Sequence, residues 1–139
     1  FPISGLLGPK ELLSDPVMQL SSTHGGNPLA CAVGLAVLDY FEDHNVLSEA
    51  ERKGSILQLA LADCNVHFEG VGMVAGLNFG RVDLANDVVI ECAKRGLLVV
   101  HTGRETVKLG PPLTIPDQQL LDGIQILKEA INEVTSRRD

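Results

Sequence analysis

The sequence predicts an α/β protein in which most of the chain forms an α+β unit, a small sheet with helices packed on one face. Three observations support this fold class. Several segments space their apolar residues by three and four, as amphipathic helices do. Short β-branched segments broken by glycine lie between them and indicate strands. Hydrophobic residues make up 45% of the 139 residues, enough to bury a core.

The first part of the chain predicts two helices. A short one follows Gly8-Pro9, where the residues KELLSD place proline near the first turn. A second begins at Asn27-Pro28, with Asn as N-cap and Pro at the first helical position, and runs to about Phe41. Its apolar residues cover every face, so we expect protein to enclose it.

The middle of the chain predicts helix, strand, strand and helix. Asn45 is the expected N-cap of a helix over Val46–Ala62. The residues NVHFEGVGMVAGLNFG then indicate two short strands around a glycine turn. Asp83 is the expected cap of a helix to about Arg95, with Gly96 as its C-terminal stop.

The last part predicts two strands and a helix. LLVVH is predicted as a buried strand, ETVKLG as its partner or neighbour, and PPLTIP as an extended connection. The final helix runs from about Asp117 to Ser136. We therefore divide the chain into residues 1–44, which lack an obvious core, and residues 45–139, the α+β unit.

Composition excludes several classes of protein. A net charge of −7 argues against a nucleic-acid binder. The longest apolar stretch, Pro28–Leu38, is too short to span a bilayer. The cysteines Cys31, Cys64 and Cys92 are far apart and beside apolar residues, which predicts buried thiols in a reducing, cytoplasmic compartment. The sequence contains no CxxC or HxxxH spacing, so we do not expect a metal site.

The segment SSTHGGNP is the first candidate site. Hydroxyls from Ser22 and Thr23, close-approaching glycines and a helix N-terminus could together hold a phosphate. The simpler interpretation is a capped helix entry after a tight turn, and the glycine spacing matches neither a Walker loop nor GxGxxG. His24 could act as an acid or base, although a histidine in such a loop more often packs or hydrogen-bonds.

Two cations near the end of the predicted sheet are candidates for anion recognition. Lys108 stands in TVKLGPP, and Arg104 stands four residues earlier in HTGRET. Lys108 could instead point outward into water, which is commoner for a surface lysine. His101 ends the LLVV segment, and strand ends often border clefts.

The order of these motifs resembles the C-terminal part of a class III aminotransferase. FPISGLLG, STHGGNPLACAVGLAVLD, VGMVAGLNF and GLLVVHTGRETVKLGPPLTI follow one another as they do in these pyridoxal-phosphate enzymes of fold type I. The group includes the ornithine, 4-aminobutyrate and diaminobutyrate aminotransferases, and the resemblance covers essentially the whole chain. Its most specific pieces are STHGGNPLACA and KLGPPLTI.

The resemblance implies roles for these segments. The hydroxyl of Thr23 is expected to bind the phosphate of pyridoxal 5'-phosphate in the neighbouring subunit's site of a homodimer, with Ser22 able to assist. Residues 1–44 would be a remnant of the large domain, and residues 45–139 the small C-terminal domain. His24 stands where many members of the family carry an aromatic residue.

Two departures from the family pattern affect function. The Schiff-base lysine of the family lies just before the segment that matches FPISG, and none of Lys10, Lys53, Lys94, Lys108 or Lys128 has the context to replace it. These residues alone are therefore expected to be inactive, with no catalytic residue among them. Many relatives carry Arg where this chain has Lys108, at the position that meets the substrate carboxylate.

The resemblance thus predicts an enzyme that moves an amino group from an amino acid, diamine or ω-amino acid to a 2-oxo acid, with 2-oxoglutarate as the expected acceptor. An aminomutase or racemase would share the cofactor site. A free-standing α+β binding or dimerisation module without catalysis is the alternative from another class. Without the rest of the large domain, the apolar helix from Pro28 should expose a large patch, so we expect the isolated chain to associate or to keep that helix disordered.

Overall fold

The computed structural model of the protein describes residues 3–14 and 22–138, in two compact units that divide between Asn45 and Val46. Ser21, the first residue of the predicted phosphate segment, lies outside the described residues. The first unit contains helices α1 (Lys10–Leu13) and α2 (Pro28–Asp43). The second contains α3 (Val46–Leu61), β1 (His67–Val71), β2 (Val74–Asn78), α4 (Val82–Lys94), β3 (Val100–His101), β4 (Thr106–Leu109) and α5 (Asp117–Ser136).

Helix α2 begins at the predicted residue. The Asn27 side chain accepts hydrogen bonds from the backbone N–H groups of Leu29 (2.9 Å) and Ala30 (3.4 Å), and Pro28 occupies the first helical position. The expected enclosure of α2 is not seen among the described residues, since Ala30 is its only buried residue there. Leu29, Leu35 and Leu38 are each more than half exposed, so apolar surface covers much of the helix.

The second unit is the predicted small sheet with helices on one face. Its four strands are antiparallel in the order β1-β2-β4-β3. Alternate residues of β2 and β4 are buried under the helices, namely Ala75, Leu77, Val107 and Leu109, and their neighbours point to the other face. Helix α5 has its predicted bounds, and its apolar stripe, Leu120, Ile124, Leu127, Ile131 and Val134, is buried.

The turn between β1 and β2 contacts helix α3 closely. Gly72 adopts a positive φ of 54°, a conformation that favours glycine. A Cβ atom on Gly54 of α3 would lie 2.4 Å from the carbonyl oxygen of Gly72. Glycine at both positions therefore lets the helix backbone meet the hairpin turn, and this contact fixes where the β1–β2 hairpin lies beneath α3.

Ion pairs join α4 to α5. The buried carboxylate of Glu91 lies 3.2 Å from Lys94 Nζ, 3.1 Å from Arg95 and 3.6 Å from Arg137, which follows α5. The hydrogen bond from Lys94, together with the charges of Arg137 and Arg95, lowers the pKa of Glu91 despite the opposing effect of burial. This cluster ties the ends of the two helices together and lies on the helix side of the sheet.

Two predicted caps are wrong. Asn45 has a φ of 49°, which is not the extended conformation of an N-cap residue. Asp83 lies in the first turn of α4, because Arg81 takes the N-cap position with extended backbone. The Asp83 carboxylate accepts instead from the Arg81 side chain and pairs with Arg138 after α5.

Two burial predictions also fail. LLVVH is not a buried strand: only Val100–His101 pairs, at the edge of the sheet, and Leu98 is 88% exposed. Of the cysteines only Cys92 is buried, while Cys31 is exposed and Cys64 intermediate. Burial raises the pKa of the Cys92 thiol to about 11, so Cys92 is a packing residue.

The segment PPLTIP, predicted to be extended, is not fully so. The Ile115 N–H donates to the Pro112 carbonyl at 3.0 Å in a turn.

Candidate functional site

The turn before α2 carries the predicted phosphate-binding residues of the first unit. Residues 23–26 form the turn, in which the Gly25 N–H donates to the Ser22 carbonyl (3.0 Å) and the Asn27 N–H to the His24 carbonyl (3.3 Å). Gly26 has a φ of 68°, a left-handed conformation that glycine adopts without strain. The chain thus reverses sharply into the helix, and the hydroxyls that precede the glycines are displayed at its entry.

The cap of α2 limits which groups in this turn could hold an anion. Pro28 has no N–H, and the next two N–H groups of the helix donate to the Asn27 side chain. The helix terminus is therefore largely satisfied by its own cap, as the simpler interpretation of the segment requires. A phosphate here would depend mainly on side-chain hydroxyls and on the backbone of the turn.

The hydroxyls of Ser22 and Thr23 fit that requirement. Both residues are exposed, and neither side chain has a hydrogen-bond partner in residues 3–14 and 22–138. A hydroxyl donor that is free to rotate suits a phosphate oxygen. The donor set at this turn is therefore compatible with the phosphate of pyridoxal phosphate. His24 lies in the same turn and is exposed as well.

Lys108 lies on the second unit, on the sheet face away from the helices. Its neighbours Val107 and Leu109 are buried, and Lys108 itself is exposed. It makes no salt bridge with any residue that the structure describes. An unpaired ammonium on an open sheet face is available to an anionic ligand.

Arg104 and His101 lie around the β3–β4 turn that leads to Lys108. Arg104 is exposed in the turn, where the Thr102 hydroxyl donates to the Thr106 carbonyl at 2.9 Å. The Gly103 N–H donates to His101 Nδ1 at 3.1 Å, which places the proton of the neutral ring on Nε2. His101 pairs with Val107 and so points to the helix side, away from Lys108. The structure therefore does not bring His101 and Lys108 together.

Sequence reasoning missed the role of Lys53. Its side chain is buried, and its Nζ donates to the carbonyls of Ile115 (2.7 Å) and Leu113 (3.3 Å). These bonds fix the segment that follows β4 and Lys108. One sequence signal could have revealed this buried lysine: Lys53 lies beside Gly54 and Leu57, in the apolar stripe of α3.

An apolar groove of about 420 Å³ lies between the β3 edge and α5. Its lining is mostly aliphatic and includes Leu97, Val99, Pro111, Leu120 and Ile124, with Lys108 and Gln119 as its polar members. Such a surface suits a hydrocarbon portion of a ligand or another protein segment better than a charged group.

Within residues 3–14 and 22–138 no group of three metal-ligating side chains occurs, and no helix is long and apolar enough to cross a membrane.

Comparison with known proteins gives a consistent result. The family described as Aminotransferase class-III matches residues 1–131. A 5-aminovalerate aminotransferase, DavT, from Pseudomonas aeruginosa is 30% identical over 96% of this chain and 35% of its own length. A mitochondrial acetylornithine aminotransferase from Candida glabrata is 35% identical over 84% of this chain and 28% of its own length. The chain thus spans about a third of the length of these relatives.

Solved structures agree. An ornithine aminotransferase from Toxoplasma gondii, described with partial occupancy of PLP at its active site, has a TM-score of 0.77 at 28% identity and covers 92% of this chain and 32% of its own. An acetylornithine aminotransferase from Elizabethkingia anophelis has a TM-score of 0.74 at 31% identity, over 83% of this chain and 32% of its own.

Proposed function

Since this chain belongs to the class-III aminotransferases, we propose that the complete protein transfers an amino group from a donor amine to a 2-oxo acid. The family match over residues 1–131 carries the proposal. The relatives named above act, by their names, on 5-aminovalerate, acetylornithine and ornithine. We therefore assign the donor to the amino acids and diamines with a terminal amine, and the acceptor to 2-oxo acids, with 2-oxoglutarate as the first to test.

Pyridoxal 5'-phosphate is the cofactor that this function requires. When bound, it supplies the electron sink for breaking bonds at the carbon that carries the amine. The Thr23 hydroxyl donates to a phosphate oxygen in our proposal, and Ser22 offers a second hydroxyl beside it. The exposure of both hydroxyls and their lack of partners in the described residues support this assignment.

Substrate recognition falls to the second unit. The ammonium of Lys108 meets the carboxylate of the substrate, and Arg104 in the preceding turn is the second candidate. Two observations support this role: Lys108 is exposed, and it forms no salt bridge with a carboxylate among the described residues. Lys53 is a positioning residue that does not contact the substrate. Its two hydrogen bonds fix the segment that follows Lys108.

The assignment places the lysine that carries the coenzyme outside these 139 residues. We propose that the active sites are shared between two subunits of a homodimer, with Thr23 serving its neighbour. Residues 1–44 then belong to the large cofactor-binding domain and residues 45–139 to the small domain. Under this assignment the 139 residues do not turn over substrate by themselves.

Nitrogen transfer tests the proposal. The complete enzyme, loaded with pyridoxal phosphate, is incubated with a donor ¹⁵N-labelled at its terminal amine and with 2-oxoglutarate. We expect the label to appear in glutamate, detected by mass spectrometry. An aminomutase or racemase would leave the label in the donor skeleton, and a binding module would leave both compounds unchanged. Either outcome, across a panel of terminal amines and 2-oxo acids, would contradict the proposed function.

A further inference from the structure

A row of residues crosses the open face of the sheet in the second unit. Glu69 of β1 pairs with Gly76 of β2, Gly76 pairs with Lys108 of β4, and Lys108 pairs with Val100 of β3. Directly paired residues share a face, so all four point away from the helices. Neighbouring strands lie about 4.8 Å apart, which places the backbones of Glu69 and Lys108 about 10 Å from each other.

Glycine in the middle of this row leaves a gap between the two charged side chains. A Cβ atom on Gly76 would lie 3.1 Å from Cγ2 of Thr106, which is tighter than ordinary contact. Gly76 itself therefore contributes no side chain between Glu69 and Lys108, while the Thr106 methyl group lies beside it, and a larger residue at position 76 would crowd that methyl group. We call this space over Gly76, between Glu69 and Lys108, the slot.

The two ends of the slot carry opposite charges that do not pair with each other. The Glu69 carboxylate is 80% exposed and lies 3.0 Å from Nε2 of His67 on its own strand. Lys108 has no salt bridge among the described residues. A ligand that presents a carboxylate and an ammonium side by side would complement both ends of the slot. A ligand with only a carboxylate would be attracted by Lys108 and repelled by Glu69.

We propose that Glu69 and Lys108 together bind the α-amino and α-carboxyl groups of the donor, so that the enzyme selects diamino acids over ω-amino acids. The inference rests on the proposed function and names its substrate class. Lys108 holds the carboxylate that both donor types carry. Glu69 holds the α-ammonium that only the diamino acid has, and thereby sets the preference.

Two donors with one carbon skeleton provide the test. 2,4-Diaminobutyrate and 4-aminobutyrate differ only in the α-amine, so the ratio of their kcat/KM values with the complete enzyme isolates the contribution of that group. We expect wild type to prefer the diamino acid. Glu69→Gln should lower kcat/KM for 2,4-diaminobutyrate about tenfold, close to the lower end of the range for a charged hydrogen bond. The same variant should raise kcat/KM for 4-aminobutyrate by no more than about twofold, because it removes the repulsion between Glu69 and the lone carboxylate.

Further variants separate the roles. Lys108→Met should lower kcat/KM for both donors by a similar factor, and Glu69→Lys should favour 4-aminobutyrate. Asp122→Asn, which removes an exposed carboxylate on the opposite side of the sheet, is the matched control and should change neither donor. Unfolding midpoints of the variants confirm that each remains folded.

Three results would overturn the inference and leave the proposed function standing. Glu69→Gln could affect both donors equally, or neither, or the enzyme could transfer nitrogen from other amines but from neither of these two. Failure of nitrogen transfer from every amine tested would instead overturn the proposed function, and the inference with it. The wild-type assay therefore distinguishes the two failures before any variant is made.

Discussion

Replacing Thr23 by Val in the complete enzyme is expected to weaken the binding of pyridoxal phosphate by about 10- to 100-fold. The substitution keeps the β-branched shape and removes the hydroxyl that we assign to the phosphate. A hydrogen bond to a charged group contributes about 1.5–3 kcal/mol, and each 1.4 kcal/mol corresponds to about a factor of ten in affinity. Titration of the apoenzyme with coenzyme, followed by absorbance, measures the change.

Two controls make the Thr23 result specific. Thr23→Ser retains the hydroxyl and should bind the coenzyme within a few-fold of wild type. Ser22→Ala removes the neighbouring hydroxyl and should have the smaller effect, since we assign it an assisting role. Because Thr23 is exposed and its side chain has no partner in the described residues, the fold should be unaffected. Unchanged affinity in Thr23→Val would refute the phosphate assignment.

Replacing Leu127 by Ala should destabilise the second unit by about 2–5 kcal/mol, the usual cost of such a cavity in a packed core. Leu127 is 2% exposed and lies in the core with Leu57 and Ile124. Removing its isobutyl group leaves a void that the helices and sheet cannot fill. Denaturant unfolding of the 139-residue chain, followed by circular dichroism, measures the loss.

Leu121 supplies the matched control for Leu127. It lies on the same helix but is 45% exposed, so Leu121→Ala makes no cavity and should cost well under half as much. Equal losses for the two variants would mean that α5 does not pack on the sheet through its predicted stripe.

The elements with strong periodicity were predictable from sequence. The stripe of α5 repeats at three and four residues over about four turns. Asn27-Pro28 combines a side-chain cap with a residue suited to the first turn. Both predictions are confirmed. The Asp83 cap failed for a local reason, because Arg81 is the residue with extended backbone and draws the carboxylate to its own guanidinium.

The candidate site was less predictable because it depends on strand pairing. Glu69 and Lys108 are 39 positions apart, and they share a row only through the registers of two strand pairs. A slip of one residue in either pair would move one of them to the helix side. Sequence reasoning identified Lys108 from its motif but had no means to find Glu69. Similarly, the edge position of β3 explains why Leu98 and Val100 are exposed although both are apolar.

Covalent trapping of the coenzyme tests the central claim most directly. The complete enzyme is loaded with pyridoxal phosphate, reduced with borohydride and digested, and the labelled peptide is identified by mass spectrometry. We predict a single labelled lysine that lies outside these 139 residues. A label on Lys10, Lys53, Lys94, Lys108 or Lys128, or no labelled lysine at all, would contradict the account.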